Sequence, residues 1–532
     1  MQKQNSHQRA PHKTAAMLLI GGLAATAATA ADLNPGGDWK IRWDNTIKYS
    51  AAERLDAPSS VLVDGAATIN TDDGSRNFNR GLVSNRLDLL SEFDAQQDGY
   101  GIRLSAAAWY DAVYQRANAN NTPARSNNSR VAYNEFTDGT ATMAGKKAEM
   151  LDWFAFGHTD LASHELTYRV GQHTLIWGNS LFFGGNGIAN GMAPVDVYKL
   201  NIPGAQSKET LMPVPQVSAA LQLTGSTSIE AYVQTKFKPT RLAPAGSYYS
   251  TVDFLGAGSE LLLAGPLRMA YAGEIKGPES RHNFGIALTT HSDELAADFG
   301  LYALRYKDTA PKVFTQPSQS RYWLVYPNNV RLLGASFGRL VGDANVSGEV
   351  SVRYGQPLLA KSGALVLPFG ATDTDLQDNP LYPTGRTAHL NLSSTLILGG
   401  SPLWDGAAIV GEVAANHVMS IERNADKVDT TLNRNSVGMR VIFTPTYYQV
   451  LPGMDLSPSA NLGWAFKGKS MIDIAFPFAG SPDHGGDFVL GLTADYRNKW
   501  KANLSWVNYL GKATSQPMLD RDHVRFSVQT SF

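Results

Sequence analysis

The sequence predicts an all-β protein, a transmembrane antiparallel up-and-down β-barrel of about 18 strands, with 16 as the nearest alternative. Three observations carry this. Apolar and polar residues alternate with period two along most of the chain after residue 31. Short turns alternate with long polar connections. The last segment is a strand that ends on an aromatic, Phe532. Composition agrees: the 532 residues hold 17% charged side chains, 46 Lys+Arg against 47 Asp+Glu, where soluble domains carry roughly 25%. The near-neutral balance gives no electrostatic footprint for nucleic acid. With no cysteine there is no disulfide framework, thiolate zinc site or Cys nucleophile.

Residues 1–30 have the form of a secretory signal. Lys3, Arg9 and Lys13 make a basic start, an apolar stretch runs from Ala15 to Ala25, and Ala28-Thr29-Ala30 is a small-residue cleavage pattern. The apolar stretch is too short to span a bilayer, which takes about 20 residues. Residues 31–532 form the expected outer-membrane barrel of a Gram-negative bacterium. Its strands follow in order. Trp39, Ile41, Trp43, Ile47 and Tyr49 share a face opposite Lys40, Arg42, Asp44, Thr46 and Lys48. Val83, Leu87, Leu89 and Phe93 oppose Arg86, Asp88, Glu92 and Asp94. Tyr100, Ile102, Leu104, Tyr110 and Tyr114 oppose Arg103, Ser105 and Asp111. Leu390, Leu392, Leu396 and Leu398 oppose His389, Asn391, Ser393 and Thr395, and Phe488, Leu490, Leu492 and Tyr496 oppose Thr493, Asp495 and Arg497. Segments of about 10 residues suit a tilted bilayer crossing. In the terminal strand Val524, Phe526, Val528, Thr530 and Phe532 share a face; a C-terminal aromatic there resembles the signal read by the barrel assembly machinery.

Asp98-Gly99, Gly225-Ser226, Gly342-Asp343 and Asn498-Lys499 mark tight turns. Residues 51–80, 116–149, 177–215, 239–282, 308–330 and 355–385 are long connections rich in Asn, Ser, Thr, Gly and Pro. From a periplasmic N-terminus, all of them fall outside only with about 18 strands. The apolar face then meets outer-membrane lipid and the charged face lines a lumen, which in a barrel of this size leaves an aqueous channel unless something fills it. The candidate lumen lining is Arg42, Arg86, Asp88, Glu92, Arg103 and Asp111, mixed in sign, with most of these charges expected to pair across strands.

Segment 177–215 is the candidate constriction or plug. It combines glycines and prolines with many apolar side chains, which a wholly solvated loop has no reason to carry. Folded inward, Trp177, Phe182, Phe183, Asn186 and Met192 line the passage, while Asp196, Lys208 and Glu209 pair with wall charges. An external cap packed on itself is the alternative. An apolar constriction in a polar barrel favours amphipathic solutes over sugars and ions.

Here the sequence resembles a known family. Val170-Gly171-Gln172, Trp177-Gly178-Asn179-Ser180, Asn186-Gly187-Ile188, Ala193-Pro194-Val195-Asp196, Pro203-Gly204, Lys208-Glu209 and Leu211-Met212-Pro213-Val214-Pro215 stand in an order similar to the proteobacterial family called domain of unknown function 1302. Asn79-Arg80-Gly81-Leu82, Glu230-Ala231-Tyr232 and Pro239-Thr240-Arg241 also look like it. Ala193 stands where Asn commonly precedes the proline. The resemblance implies an outer-membrane protein, often encoded beside an RND-type exporter and a second periplasmic family, and relatives in role of long-chain fatty-acid channels. It thus implies transport of a small hydrophobic solute, a fatty acid or derivative, together with an inner-membrane exporter and a periplasmic partner.

Two other classes compete. A general or aromatic-acid diffusion porin would conduct ions freely. A membrane-embedded hydrolase would need a nucleophile, yet no Gly-x-Ser-x-Gly elbow is present, and His158, His164 and His173 read as strand-end residues. No enzyme activity is expected. No P-loop, dinucleotide fingerprint or His/carboxylate metal spacing stands out, so no cofactor or metal is expected either. The acidic runs Asp72-Asp73 and 373–378 read as solvated loop charge rather than calcium ligands.

Overall fold

The computed structural model describes residues 31–32, 38–205, 207–275, 283–367, 380–478 and 482–532. The expected signal segment 1–30 and the acidic run 373–378 lie outside them.

Eighteen strands, numbered here in chain order, make the barrel. They are β1 (Lys40–Arg54), β2 (Gly81–Gln97), β3 (Tyr100–Asp111), β4 (Lys146–Leu161), β5 (His164–His173), β6 (Val214–Gln222), β7 (Thr227–Gln234), β8 (Phe284–Ser292) and β9 (Ala297–Tyr306). Next come β10 (Val330–Val341), β11 (Ala344–Pro357), β12 (Thr384–Leu398), β13 (Gly406–Arg423), β14 (Asn435–Leu451), β15 (Met454–Lys467), β16 (Gly485–Tyr496), β17 (Trp500–Leu510) and β18 (His523–Ser531). Each pairs antiparallel with the next, and β18 returns to β1 with Tyr49 opposite Val528. Closure leaves no unpaired edge. The seam is also fixed by main-chain bonds between Asn45 and Phe532 (2.9 and 3.0 Å). Phe532 itself points outward and is exposed.

The side chains are distributed inside out. Among the exposed large apolar residues are Trp43, Ile47, Leu89, Ile286, Leu390, Leu392, Leu490 and Leu504, all on strands. Among the largest fully buried side chains are the charged Arg54, Arg86 and Arg353. In water this arrangement would expose the apolar surface that normally drives folding; a hydrocarbon surround reverses the requirement. Trp39, Trp43, Tyr100, Tyr448, Tyr496 and Trp500 cluster towards the turn end, as a girdle at a membrane boundary would.

Turns and connections segregate to opposite ends. Asp98-Gly99 closes β2 to β3 with φ of +49° and +82°, the left-handed pair a two-residue hairpin needs. The same end holds the turns at Ala162-Ser163, Gly342 and Arg497-Asn498. Every connection at the other end is longer.

Three differences from the sequence reading have physical causes. Val83 and Tyr114 alternate with outward residues in sequence but are buried. A register shift at Ala52/Glu53 turns the end of β2 inward, and Tyr114 falls in a 3₁₀ turn (Ala112–Gln115) beyond β3. The long connections are not simply solvated polar loops: Leu261–Ala264, Leu267–Ile275, Lys312–Gln316, Arg321–Val325 and Ala364–Val366 pair into a separate five-stranded sheet over the loop end. Short apolar runs such as Trp323-Leu324-Val325 cannot span a bilayer, so they pack on one another, with Phe314, Leu365 and Tyr382. Lastly, 55–80 and 112–145 join the plug segment in an aromatic core of Phe78, Tyr114, Tyr198 and Tyr248 that covers the lumen side of β1–β3.

Candidate passage through the barrel

Segment 177–215 leaves β5 at the loop end, enters the lumen and returns to β6. Its course is set by buried wall carboxylates that accept its backbone N–H groups. Glu349 on β11 accepts from Asn179 (2.6 Å) and Ile188 (2.9 Å). Glu412 on β13 accepts from Leu181 and Phe183 (both 3.1 Å), from Phe182, and from the hydroxyl of Ser180 (2.9 Å). Asn186 is the third anchor. Its amide donates to Asn391 Oδ1 (2.9 Å) and the Ala415 carbonyl (3.0 Å), its Oδ1 meets His389 Nδ1 (2.9 Å), and Arg353 donates to its carbonyl (2.7 Å). The opposite flank is held by ion pairs. Asp196 pairs with Arg241 (2.6 Å), Arg241 with Glu149 (2.6 Å), Glu149 with Lys199 (3.5 Å), and Lys48 with Glu209 (3.6 Å). Burial opposes the charge on Arg241, but its bonds to Glu149 and the Asp196 charge outweigh it and hold the guanidinium above its ordinary value.

A cavity of about 3170 Å³ remains beside the segment. Its lining runs from Gly225, Ser226 and Asp343 at the turns to Pro311, Asp473 and Gln516 in the loops, so it extends along the whole barrel. Trp177, Phe182, Phe183 and Asn186 border it. Trp177 donates from Nε1 to Glu230 (2.9 Å). Met192 differs from the sequence expectation: it is buried against Tyr232, Leu304 and Tyr306, because its turn faces the wall rather than the space. Asp196 and Glu209 serve the ion pairs above, and the side chain of Lys208 lies outside the described set.

The wall charges are placed differently from a uniformly wet lining. Of β1–β3, Arg103 alone among the described residues borders the cavity, bonded to Glu92 (2.6 Å) and Asp94 (2.9 Å). Arg86 pairs with Asp88 (2.7 Å) and lies over the Trp109 ring (4.9 Å). Asp111 accepts from Ser84 (2.6 Å) and from the N–H groups of Asn85 and Val113 (both 3.0 Å). These residues sit under the aromatic core, away from solvent. Arg42 stays exposed near the turn end and pairs with Asp44 (3.1 Å).

The sequence reading missed a second inward loop. In the connection from β15 to β16, Ile474, Phe476 and Phe478 reach the cavity, and Phe476 and Phe478 meet Phe183 edge-on (5.9 and 5.7 Å). Arg440 lies over the Phe478 ring (5.0 Å) and pairs with Asp487 (2.7 Å). Leu200, 56% exposed, also faces the cavity from the plug segment. The alternation of apolar residues from Ile472 to Phe478 was the available signal.

A family model described as a protein of unknown function (DUF1302) matches residues 12–532. The chain belongs to the DUF1302 family. No curated protein matches this DUF1302 chain. Among solved structures it is similar to Pseudomonas aeruginosa OccK2 (OpdF) in complex with glucuronate, at 9% identity and TM-score 0.41, covering 92% of this chain and 98% of that one. Acinetobacter baumannii OccAB2 gives 9%, 0.43, 92% and 98%. A BenF-like porin from Pseudomonas fluorescens Pf-5 gives 10%, 0.42, 92% and 98%. In this DUF1302 protein the site is a continuous cavity bordered by aromatic and aliphatic side chains from two inward loops, together with Ser, Asn and paired charges of the wall.

Proposed function

We propose that this protein is an outer-membrane channel for small amphipathic molecules with an apolar body and a polar or anionic head, the class that includes fatty acids and their derivatives. The observation that carries the reading is the pairing of an apolar exterior with a full-length cavity bordered by apolar and polar side chains together. Phe182, Leu200, Ile474 and Phe478 supply apolar surface; Ser347, Ser393, Asn461 and Arg440, the last stacked on Phe478, supply polar groups. A solute that slides between them desolvates only its apolar part and keeps its head hydrogen-bonded. In this reading the turn end faces the periplasm, where a periplasmic partner and an RND-type exporter would deliver or receive the solute.

The test is reconstitution of the full chain in vesicles and planar bilayers. Passage of a labelled fatty acid that competes with unlabelled fatty acid, with small ion conductance, is expected. Leu200→Asp puts a charge on apolar surface of the cavity at a half-exposed position, and should cut that passage several-fold. Large ohmic conductance that Leu200→Asp leaves unchanged, with no fatty-acid competition, would replace this reading with a general or aromatic-acid porin. His173 donates or accepts at Ser218 Oγ (2.9 Å), but its Nδ1 meets the carbonyl of Gly171 (3.2 Å) rather than a carboxylate, so that pair lacks the orienting group of a hydrolytic triad.

A further inference from the structure

Three outer connections converge on a set of buried oxygens that no donor satisfies. Asp72, Asp73 and Asn77 come from the connection between β1 and β2, Asn127 from that between β3 and β4, and Asp253 from that between β7 and β8. The three aspartates are 0, 4 and 1% exposed, so they are not solvated loop charges. One carboxylate oxygen from each lies within 4.8 Å of the others. Arginines reach only Asp72, whose Oδ2 accepts from Arg76 (2.9 Å) and Arg125 (3.0 Å). Among the described residues Asp73 and Asp253 form no ion pair. Asp73 Oδ2 accepts the N–H of Asn127 (3.4 Å) and Asp253 Oδ2 that of Asp73 (3.2 Å). The Oδ1 atoms of all three aspartates have no hydrogen-bond partner.

The asparagines supply an independent observation. Both are more than nine-tenths buried, and the Oδ1 of each is also without a partner. Their orientation is fixed by their amide nitrogens: Asn77 Nδ2 donates to the Gly246 carbonyl (2.9 Å), and Asn127 Nδ2 to Asn70 Oδ1 (3.0 Å) and the Leu261 carbonyl (2.8 Å). Flipping either amide would set a nitrogen where an oxygen lines the void and break these bonds. Asp73, Asn77, Asn127 and Asp253 border one void of about 10 Å³, close to the space of a single water or ion. A water would donate two hydrogen bonds and leave the like charges facing one another.

We propose that Asp72, Asp73 and Asp253, with the side-chain oxygens of Asn77 and Asn127, form a calcium site that staples three outer loops together over the β1–β3 side of the barrel mouth. The donors are all hard oxygens, and calcium takes about 6–8 of them in irregular geometry. Magnesium holds several waters in an octahedron, for which a void of about 10 Å³ has no room. The proposal is independent of the solute that passes through the barrel.

The experiment uses the full-length protein in detergent, stripped with EGTA and titrated with CaCl₂ or MgCl₂ by calorimetry, with thermal unfolding and limited proteolysis of the outer loops in parallel. One calcium per chain in the sub-millimolar range is expected, with slower cleavage in the 60–80 and 245–255 regions and a response to magnesium at least tenfold weaker. Asp253→Asn keeps a side-chain oxygen but removes one of the three negative charges from the ligand set. It should bind calcium at least tenfold more weakly, yet melt no lower than the wild type in EGTA; Asp73→Asn should behave alike. Absence of binding to the wild type at millimolar calcium, equal responses to the two ions, or unchanged calcium affinity in both variants would overturn the assignment. Because the wild-type titration needs no variant, a substitution that fails to fold leaves the test intact.

Discussion

Gly178 shows how single residues position the inward segment. Its φ of +90° and its closeness to Glu349 leave no room for a side chain: a Cβ would fall on the carboxylate that receives the Asn179 N–H. Gly178→Ala is expected to detach this end of the segment, raising bilayer conductance and protease sensitivity near residues 178–190 without unfolding the barrel. Glu412 acts on the next turn of chain, where one carboxylate oxygen gathers the N–H groups of Leu181, Phe182 and Phe183. Glu412→Gln replaces a charged acceptor by an amide that also brings a misplaced donor. It should cost about 3 kcal/mol, read as a lower urea midpoint for the segment's protection from proteolysis. The residue types of both positions are plain in the sequence, but their partnership is not, because 170 residues in one case and 229 to 231 in the other separate the groups that meet.

At the scale of elements, the plug segment is gripped from two sides by different forces. Neutral backbone donors meet wall carboxylates on the β11–β13 side, and a chain of ion pairs through Arg241 ties the other side to β4. Breaking the second grip by Arg241→Ala leaves Glu149 and Asp196 largely buried with one fewer cation. It should destabilise the segment by about 3–5 kcal/mol, seen as increased current noise in single-channel records. Arg241→Lys should rescue only part of this, since a point charge cannot replace the fork that bonds both carboxylates. The inward course of 177–215 was legible from its apolar content. The depth at which each side chain stops was not: Met192 and Phe182 are equally apolar in sequence, and only the wall beside Tyr232 and Tyr306 decides that Met192 packs while Phe182 borders the space.

For the molecule as a whole, the closed strand wall makes one face meet lipid and the other meet water. Leu390 and Thr395 lie on β12 with opposite orientations, exposed outside and bordering the cavity respectively. Leu390→Arg should lower the folding free energy into lipid vesicles by about 2–4 kcal/mol, whereas Thr395→Arg should change it by less than about 1 kcal/mol; the comparison is made by denaturant titration in the same vesicles. Alternation from Trp39 to Phe532 determined the barrel and which face is greasy, because a period of two is a local property of extended backbone and each strand reports it alone. The sorting of short turns from long connections pointed to about 18 strands, with 16 as the alternative. The tertiary structure decided how the interior is divided. Arg86 and Asp111 share the sequence pattern of Arg103, yet they lie beneath an aromatic core assembled from distant loops, while Phe476 and Phe478 reach the cavity from a connection whose apolar alternation does not say which way it folds. Three carboxyl and two amide groups from three separate loops likewise meet only once the barrel has closed. Which loops fill a lumen depends on contacts between residues hundreds of positions apart, and no local period encodes those.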